Sequence, residues 1–264
     1  MISALSEQER DARMARYYDL DVLDVAYDAE LYLQLAHAAG GAVLELGVGS
    51  GRIAIPLALA GHDVLGLDND QAMLDRAERN WAEVRGAAAA GRFRTRLGDF
   101  TSFRGDRRFA LALIAINTFL LAPDDAGRRA ILTMMRDHLQ DGGTAAVEIG
   151  TPDQAELERY DRRLQHEWLR TDPETGEQVS KSISANYDGQ AETLELTQIY
   201  QWTPPHGGPL GRVTQIDLLH LISAERLGEL AREVGFGDVR LWGDHLSTPY
   251  GAGSHRVILE ARLV

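Results

Sequence analysis

The chain contains no cysteine. That excludes disulfide staples, thiolate nucleophiles and cysteine-ligated zinc. Lysine is almost as scarce, because all but one of the 27 basic residues are arginine and Lys181 is the exception. Positive charge is in deficit overall: 40 Asp and Glu oppose those 27 bases, for a formal net charge of -13. A surface this acidic repels phosphate backbones, and the densest basic stretch, Arg104-Gly-Asp-Arg-Arg108, is too short to reverse that locally. Nucleic acid is therefore not expected as a partner. No apolar run approaches the ~20 residues that span a bilayer, so no membrane partner is expected either. The opening residues, Met1-Ile-Ser-Ala-Leu-Ser-Glu-Gln-Glu-Arg10, are too acidic and polar for a secretory signal, and a cytoplasmic location is the expectation. None of the eight histidines stands in a zinc-ligand or triad spacing.

What is present is a chain of 264 residues, 44% hydrophobic and 25% charged. That is enough for one large α/β domain, or one such domain carrying an insertion. Its most informative stretch is Glu45-Leu-Gly47-Val-Gly49-Ser-Gly51, led in by the apolar Ala42-Val-Leu-Glu-Leu and led out by a helical Arg52 to Ala60. Alternating glycines let the backbone turn sharply, with no Cβ to block a ligand lying against it. A second strand, ending Leu65-Gly-Leu-Asp68, presents a carboxylate beside that loop. Backbone amides and a helix N-terminus suit a charged tail, and an acidic residue suits ribose hydroxyls, so the pair fits a nucleoside. A dinucleotide fingerprint G-x-G-x-x-G would need glycine at position 52, where Arg52 stands.

Along the chain, Ser6-Glu-Gln-Glu9 reads as a capping box opening a helix to about Tyr18, and a second helix runs from Glu30 to Ala39 before Gly40-Gly41. Strands at 42–47, 63–67, 92–97, 109–116 and 144–149 alternate with helices at 52–60, 70–85 and 124–139. That alternation predicts a parallel sheet with helices on both faces. The Ala87-Ala-Ala-Ala90 run carries no chemistry. After Pro152 the period changes: residues 165–221 hold three or four long alternating stretches joined by turn clusters at 173–176, 188–189 and 204–208, which predicts an inserted antiparallel sheet. A helix at 224–234, capped by Ser223 and stopped by Gly235, and strands at 238–243 and 255–263 close the chain. The division expected is 1–152 with 223–264 as a nucleoside-binding domain under an N-terminal helical cap, and 153–222 as the insertion.

The E-x-G-x-G-x-G loop, the distal Asp68 and Gly98-Asp99-Phe100 after the third strand resemble class I S-adenosylmethionine (SAM)-dependent methyltransferases over about residues 40–150 and 223–264. The resemblance implies a Rossmann-like, doubly wound, mostly parallel seven-stranded sheet with the antiparallel sheet inserted after strand five. Within that class the insertion and Glu148 are similar to small-molecule N-methyltransferases, notably the N,N-dimethyltransferases of amino sugars. The implied cofactor is SAM, the implied product S-adenosylhomocysteine (SAH), and the implied reaction methyl transfer to N or O of a small metabolite. O-methylation and a non-catalytic SAM-binding regulator are the rival readings. In the family's pattern Glu45 reaches the methionine amino group, Asp68 with Asn69 beside it takes the ribose hydroxyls, and Asp99 with Phe100 meets the adenine. Asn117 sits near the sulfonium, and an aromatic of the first helix, Tyr17 or Tyr18, folds over the cofactor. Gly47, Gly49 and Gly51 form the loop itself. Met73 either covers the adenine or joins the core. Arg52 either meets an anionic group or is solvated. For a catalytic base the candidates are His166, His220, His245 and Glu148, with His245 preferred because Gly243-Asp-His-Leu-Ser-Thr-Pro-Tyr250 is a long polar loop. The inserted sheet is expected to form the acceptor pocket or a homodimer contact.

Overall fold

Ser6 opens the first helix as its spacing to Glu9 requires: the Glu9 N–H donates to the Ser6 hydroxyl, and the Ser6 N–H donates to the Glu9 carboxylate. The computed structural model describes residues 5–23, 28–86 and 91–264. Met1–Ala4 of the opening stretch and the Ala87–Ala90 run lie outside these. In chain order the elements begin with α1 (Glu7–Asp21), α2 (Ala29–Ala39), β1 (Val43–Leu46), α3 (Ala54–Leu59), β2 (Asp63–Asp68) and α4 (Gln71–Val84). Then come β3 (Arg92–Leu97), β4 (Phe109–Ile114), a 3-10 turn (Ile116–Leu121), α5 (Asp125–His138) and β5 (Leu139–Gly150). The inserted region holds α6 (Gln154–Tyr160), β6 (Gln165–Thr171), β7 (Gln178–Asp188), β8 (Thr193–Thr203) and β9 (Gly211–His220). The chain closes with α7 (Ala224–Glu233), β10 (Asp238–Trp242) and β11 (Arg256–Arg262).

Two compact units result. In the larger, residues 28–151 with 222–264, seven strands order as β10-β11-β5-β4-β1-β2-β3. The first five strands run parallel, and β11 runs antiparallel to both β5 and β10. This is the Rossmann-like doubly wound sheet expected. β1 and β4 are buried along their whole length, as strands covered on both faces must be. Val43, Leu111 and Leu113 pack against Leu57 of α3, Leu74 and Trp81 of α4 and Tyr32 of α2. Truncating one such leucine to alanine costs roughly 2–5 kcal/mol. Side-chain caps at Asp70, Asp124 and Ser223 start α4, α5 and α7. The chain reverses its direction of winding between β1, which pairs with β2 on one side, and β4 on the other. Ligands of open α/β sheets bind outside the carboxyl ends at such a switch point.

The smaller unit, residues 5–23 with 152–221, is the antiparallel sheet β6-β7-β8-β9 with α1 on one face. Tyr17 and Leu20 of α1 bury against Val179, Tyr200, Trp202 and Val213. Ion pairs Arg13–Glu177 (2.7 Å), Arg16–Asp172 (2.7 Å) and Lys181–Asp21 (2.5 Å) flank that contact.

Three details differ from the reading of the sequence. The first helix groups with the inserted sheet and not with the nucleoside-binding domain, because its apolar face is committed to Tyr200 and Trp202. β5 begins at Leu139 and not at Thr144: Asp141-Gly-Gly143 forms an irregularity inside the strand, with Phe109 facing Leu139 and Leu111 facing Thr144. The sequence reading had no helix at α6, although Asp153 and Glu156 cap it reciprocally.

Candidate active site

The glycine loop leaves β1 with all three glycines in the left-handed region, at φ 70°, 53° and 87° for Gly47, Gly49 and Gly51. At Gly47 an added Cβ would also lie 2.6 Å from Thr118 Cγ2, so both conformation and space require glycine. The loop is pinned to β2: Gly47 and Val48 donate to the Leu67 carbonyl (2.8 and 3.0 Å), and Gly49 N–H donates to Asp68 Oδ2 (2.8 Å). Asp68 Oδ1 accepts from the Asp70 N–H (3.0 Å). The helix cap of α4 is Asp70, so Asp68 is not spent on that role. Burial pushes the Asp68 carboxyl up, against the Gly49 and Asp70 amides that pull it down. Each of its oxygens accepts a second hydrogen bond in a carboxylate, which leaves capacity for hydroxyl donors.

Glu45 lies on buried β1, two residues before Gly47, and is 2% exposed. Oε2 has no hydrogen-bond partner. Burial raises its carboxyl to about 8, despite Arg52 and the Ala54 amide. A buried, unsatisfied carboxylate is costly and signals a missing donor.

Beyond the third strand, Gly98 N–H donates to the Asp68 carbonyl (2.9 Å), which ties the Asp99-Phe100 loop to the end of β2. Asp99 Oδ1 accepts from both the amide and hydroxyl of Thr101 (2.7 Å each), so one carboxylate oxygen shapes its own loop. Asn69 is exposed, and Phe100 and Met73 are half-buried. α4 sends Leu74, Ala77 and Trp81 into the core, and Met73 is not among its buried residues. After β4, Ile116 holds φ 54°, a strained conformation for a β-branched side chain. The turn it starts lets Asn117 Oδ1 accept from Gly150 N–H (2.7 Å) and locks the carboxyl ends of β4 and β5 together.

The two favoured catalytic candidates meet. Glu148 Oε1 lies 3.0 Å from His245 Nε2 and accepts from Arg256 (2.6 Å), while Oε2 accepts from the Tyr32 hydroxyl (2.8 Å). Glu148 is 2% exposed. Burial alone would raise its carboxyl, but the bonds from His245 and Tyr32 and the Arg256 charge hold it down at about 2. The neighbouring carboxylate makes Tyr32 harder to ionise still, beyond the effect of its complete burial. An ionised Glu148 only accepts, so Nε2 of His245 carries the hydrogen of that bond. Arg52 is not solvated: it pairs with Asp28 at 2.5 Å.

Asp28, Tyr32 and Arg256 are the members that sequence reasoning missed. Asp28 precedes a helix and looks like a solvent-facing cap, yet it makes no capping bond and is buried. Tyr18, His166 and His220 all belong to the smaller unit, where Tyr18 and His220 are half-buried and His166 is exposed. Tyr17 is wholly buried there, 5.6 Å from the Tyr200 ring. Its role is packing.

A family model for methyltransferase domains matches residues 43–143, the span from β1 into β5. Over that span the chain is similar to methyltransferase domains. Over 120 residues it is 32% identical to the cypemycin N-terminal methyltransferase of a Streptomyces species. That match takes in 46% of this chain and 45% of the relative, so it spans less than half of the curated protein. Among solved structures, the CcbJ methyltransferase of Streptomyces caelestis superposes with a TM-score of 0.72 at 24% identity, over 91% of this chain and 95% of that one. SAM-bound CalS10, an amino pentose methyltransferase of Micromonospora echinaspora, superposes with a TM-score of 0.67 at 18% identity, over the full length of both. These likenesses show that the fold is shared with those two structures. Among the described residues no helix is long and apolar enough to cross a membrane.

Proposed function

We propose that the protein is a SAM-dependent methyltransferase that transfers a methyl group to a nitrogen, or in a second reading an oxygen, of a small-molecule metabolite. The observation that carries it is the buried, partnerless Glu45 Oε2 on the strand that runs into the glycine loop. The residues fit SAM: Glu45 supplies the acceptor its ammonium needs, Gly47 to Gly51 the open backbone, Asp68 the ribose acceptors and the Asp99-Phe100 loop an edge for adenine. The bound sulfonium supplies an activated methyl group, so correct placement and exclusion of water are the main demands left to the protein.

The chain's own residues meet those demands in distinct ways. Glu148, held ionised, fixes the His245 ring through Nε2–H, and His245 is the base for the proton that an ammonium acceptor must lose before it attacks. The same base would serve a hydroxyl, which is why O-methylation stands second. The names of two similar proteins, the cypemycin N-terminal methyltransferase and an amino pentose methyltransferase, tilt the acceptor atom towards nitrogen. A net charge of -13 argues against nucleic acid. The same reading is that of a cytoplasmic protein. It also makes the protein a homodimer: Leu169, Ile216 and Leu218 are 63%, 59% and 47% exposed on the sheet face opposite Tyr200, an apolar surface suited to a second copy.

The test is calorimetry with SAH, followed by transfer of labelled methyl from SAM to a panel of small amines and alcohols. SAH binding at one site per chain and label on a panel member are expected. Absence of SAH binding would overturn the proposal.

A further inference from the structure

The site holds a second buried carboxylate that the cofactor's recognition does not use. Asp28 is 1% exposed, and its Oδ1 has no hydrogen-bond partner. Its other oxygen, Oδ2, is held by Arg52 at 2.5 Å. The carboxylate is thereby fixed in place with one oxygen unsatisfied, a costly state unless a donor arrives. One carboxylate oxygen of Asp28, one of Glu148 and one ring nitrogen of His245 lie within 4.8 Å of one another, so the Asp28 carboxylate stands beside the Glu148–His245 pair.

We propose that Asp28 receives the N–H of the acceptor, and that the Asp28–Glu148–His245 cluster is the binding site for a primary or secondary amine. This rests on the methyltransferase reading and narrows it.

Two charge arguments separate an amine from the other occupants. The two carboxylates already face two guanidinium groups, Arg52 on Asp28 and Arg256 on Glu148. Their charges sum to zero, so a divalent metal would bring two uncompensated charges into a buried site. Glu148 also has both oxygens engaged by protein donors, which leaves it poorly placed to ligate. A neutral amine enters at no such cost, donating one N–H to Asp28 while its lone pair stays available.

The steps balance. The acceptor enters as the neutral amine. Its nitrogen lone pair then forms the new N–C bond as the methyl–sulfur bond breaks, the bonding pair returns to sulfur, and the positive charge passes from sulfur to nitrogen. The product ammonium still carries an N–H for Asp28, so the buried oxygen is satisfied before and after transfer. An ether product from a hydroxyl acceptor would have no hydrogen to donate and would leave it unsatisfied again.

The experiment compares the wild-type chain with Asp28→Asn, using SAM and matched probes: benzylamine against benzyl alcohol, D-glucosamine against D-glucose, and a glycyl peptide with a free N-terminus. Methylation of at least one amine and no matched alcohol is expected. In Asp28→Asn, kcat/KM for that amine should fall ~10²-fold, largely through KM, with the SAH dissociation constant changed less than threefold. The SAH measurement doubles as a check on folding, and Asp28→Ser serves if the asparagine variant fails it. Four results would overturn the assignment: no amine methylated, alcohols methylated as readily as amines, unchanged kcat/KM in the variant, or a matching loss of SAH affinity that moves Asp28 to the cofactor. Loss of wild-type activity on chelation, restored by a divalent metal, would overturn it in favour of a cation site. Failure of wild-type SAH binding is a different outcome, and it removes the methyltransferase reading itself.

Discussion

Replacing Glu45 by glutamine should uncouple cofactor binding from pH. The buried Glu45 carboxyl stands at about 8 in place of an ordinary 4.5, which corresponds to ~5 kcal/mol of preference for the neutral form in the unliganded protein. Below pH 8 the empty site therefore holds a proton, and an arriving ammonium has to displace it. Binding of SAH should release close to one proton per site at pH 6 to 7, and affinity should rise roughly tenfold per pH unit between pH 5.5 and 7.5. In Glu45→Gln both effects should vanish, and affinity at pH 7.5 should fall by roughly 1–3 kcal/mol with the loss of a charge-assisted bond. Calorimetry in buffers of different ionisation enthalpy reads the proton count directly. The stability of the unliganded protein gives an independent check on sign. Because the folded-state value is raised, the group's contribution is fully present below pH 4.5 and is lost as pH rises through about 8. The glutamine variant should therefore melt higher than wild type at pH 9, and the gap should close towards pH 5. Wild-type affinity that ignores pH, or an unchanged slope in the variant, would refute the assignment of Glu45 to the ammonium.

The remaining predictions concern the loop, the base and the outer face of the inserted sheet. Asp68→Ala should weaken SAH by roughly 1–3 kcal/mol in calorimetry, since it removes the ribose acceptor and frees the Gly49 amide. Gly47→Ala should abolish measurable SAH binding, because the position combines φ 70° with a 2.6 Å approach to Thr118; native-like affinity would show the loop is tolerant there. His245→Ala should lower turnover while SAH affinity holds, with a loss of ~10²-fold for an acceptor that must shed a proton and a small one for an amine that binds neutral. Ile216→Arg with Leu218→Arg should convert a dimer to a monomer in light scattering; an unchanged mass would place the contact elsewhere.

The fold was legible because its signals are local and repeated. Gly47, Gly49 and Gly51 announce a turn that only glycine can make, and Asp68 follows a strand whose period is unmistakable. Serine and aspartate caps mark α1, α4 and α7 within a residue or two. Pairing of Glu148 with His245 was half legible. Each stood out on its own, one at a strand end and one in a polar loop, but they are 97 residues apart and no spacing rule joins them. Asp28 was not legible at all. In sequence it is an acidic residue before a helix, a pattern that ordinarily means a solvated cap. What changes its meaning is Arg52, a residue of the glycine loop's exit, which draws the carboxylate inward and away from the helix amides.

The misplacement of α1 has the same origin in a different guise. An amphipathic helix states that it will bury one face, and its sequence does not state against what. Tyr17 suits a cofactor lid or a sheet equally well by composition. The choice was made 160 residues further on, where Glu177 accepts from the Tyr17 hydroxyl at 3.2 Å. Tyr200 and Trp202 then complete an aromatic floor for the Tyr17 ring. Function follows the same logic as packing in this chain. The loop proposed for the cofactor is encoded in one short stretch, Glu45 to Gly51, whereas the groups proposed for the acceptor, Asp28, Glu148 and His245, lie far apart in sequence and only the fold brings them within 4.8 Å. A short loop is therefore enough to recognise the cofactor, while acceptor chemistry has to be read from the assembled site.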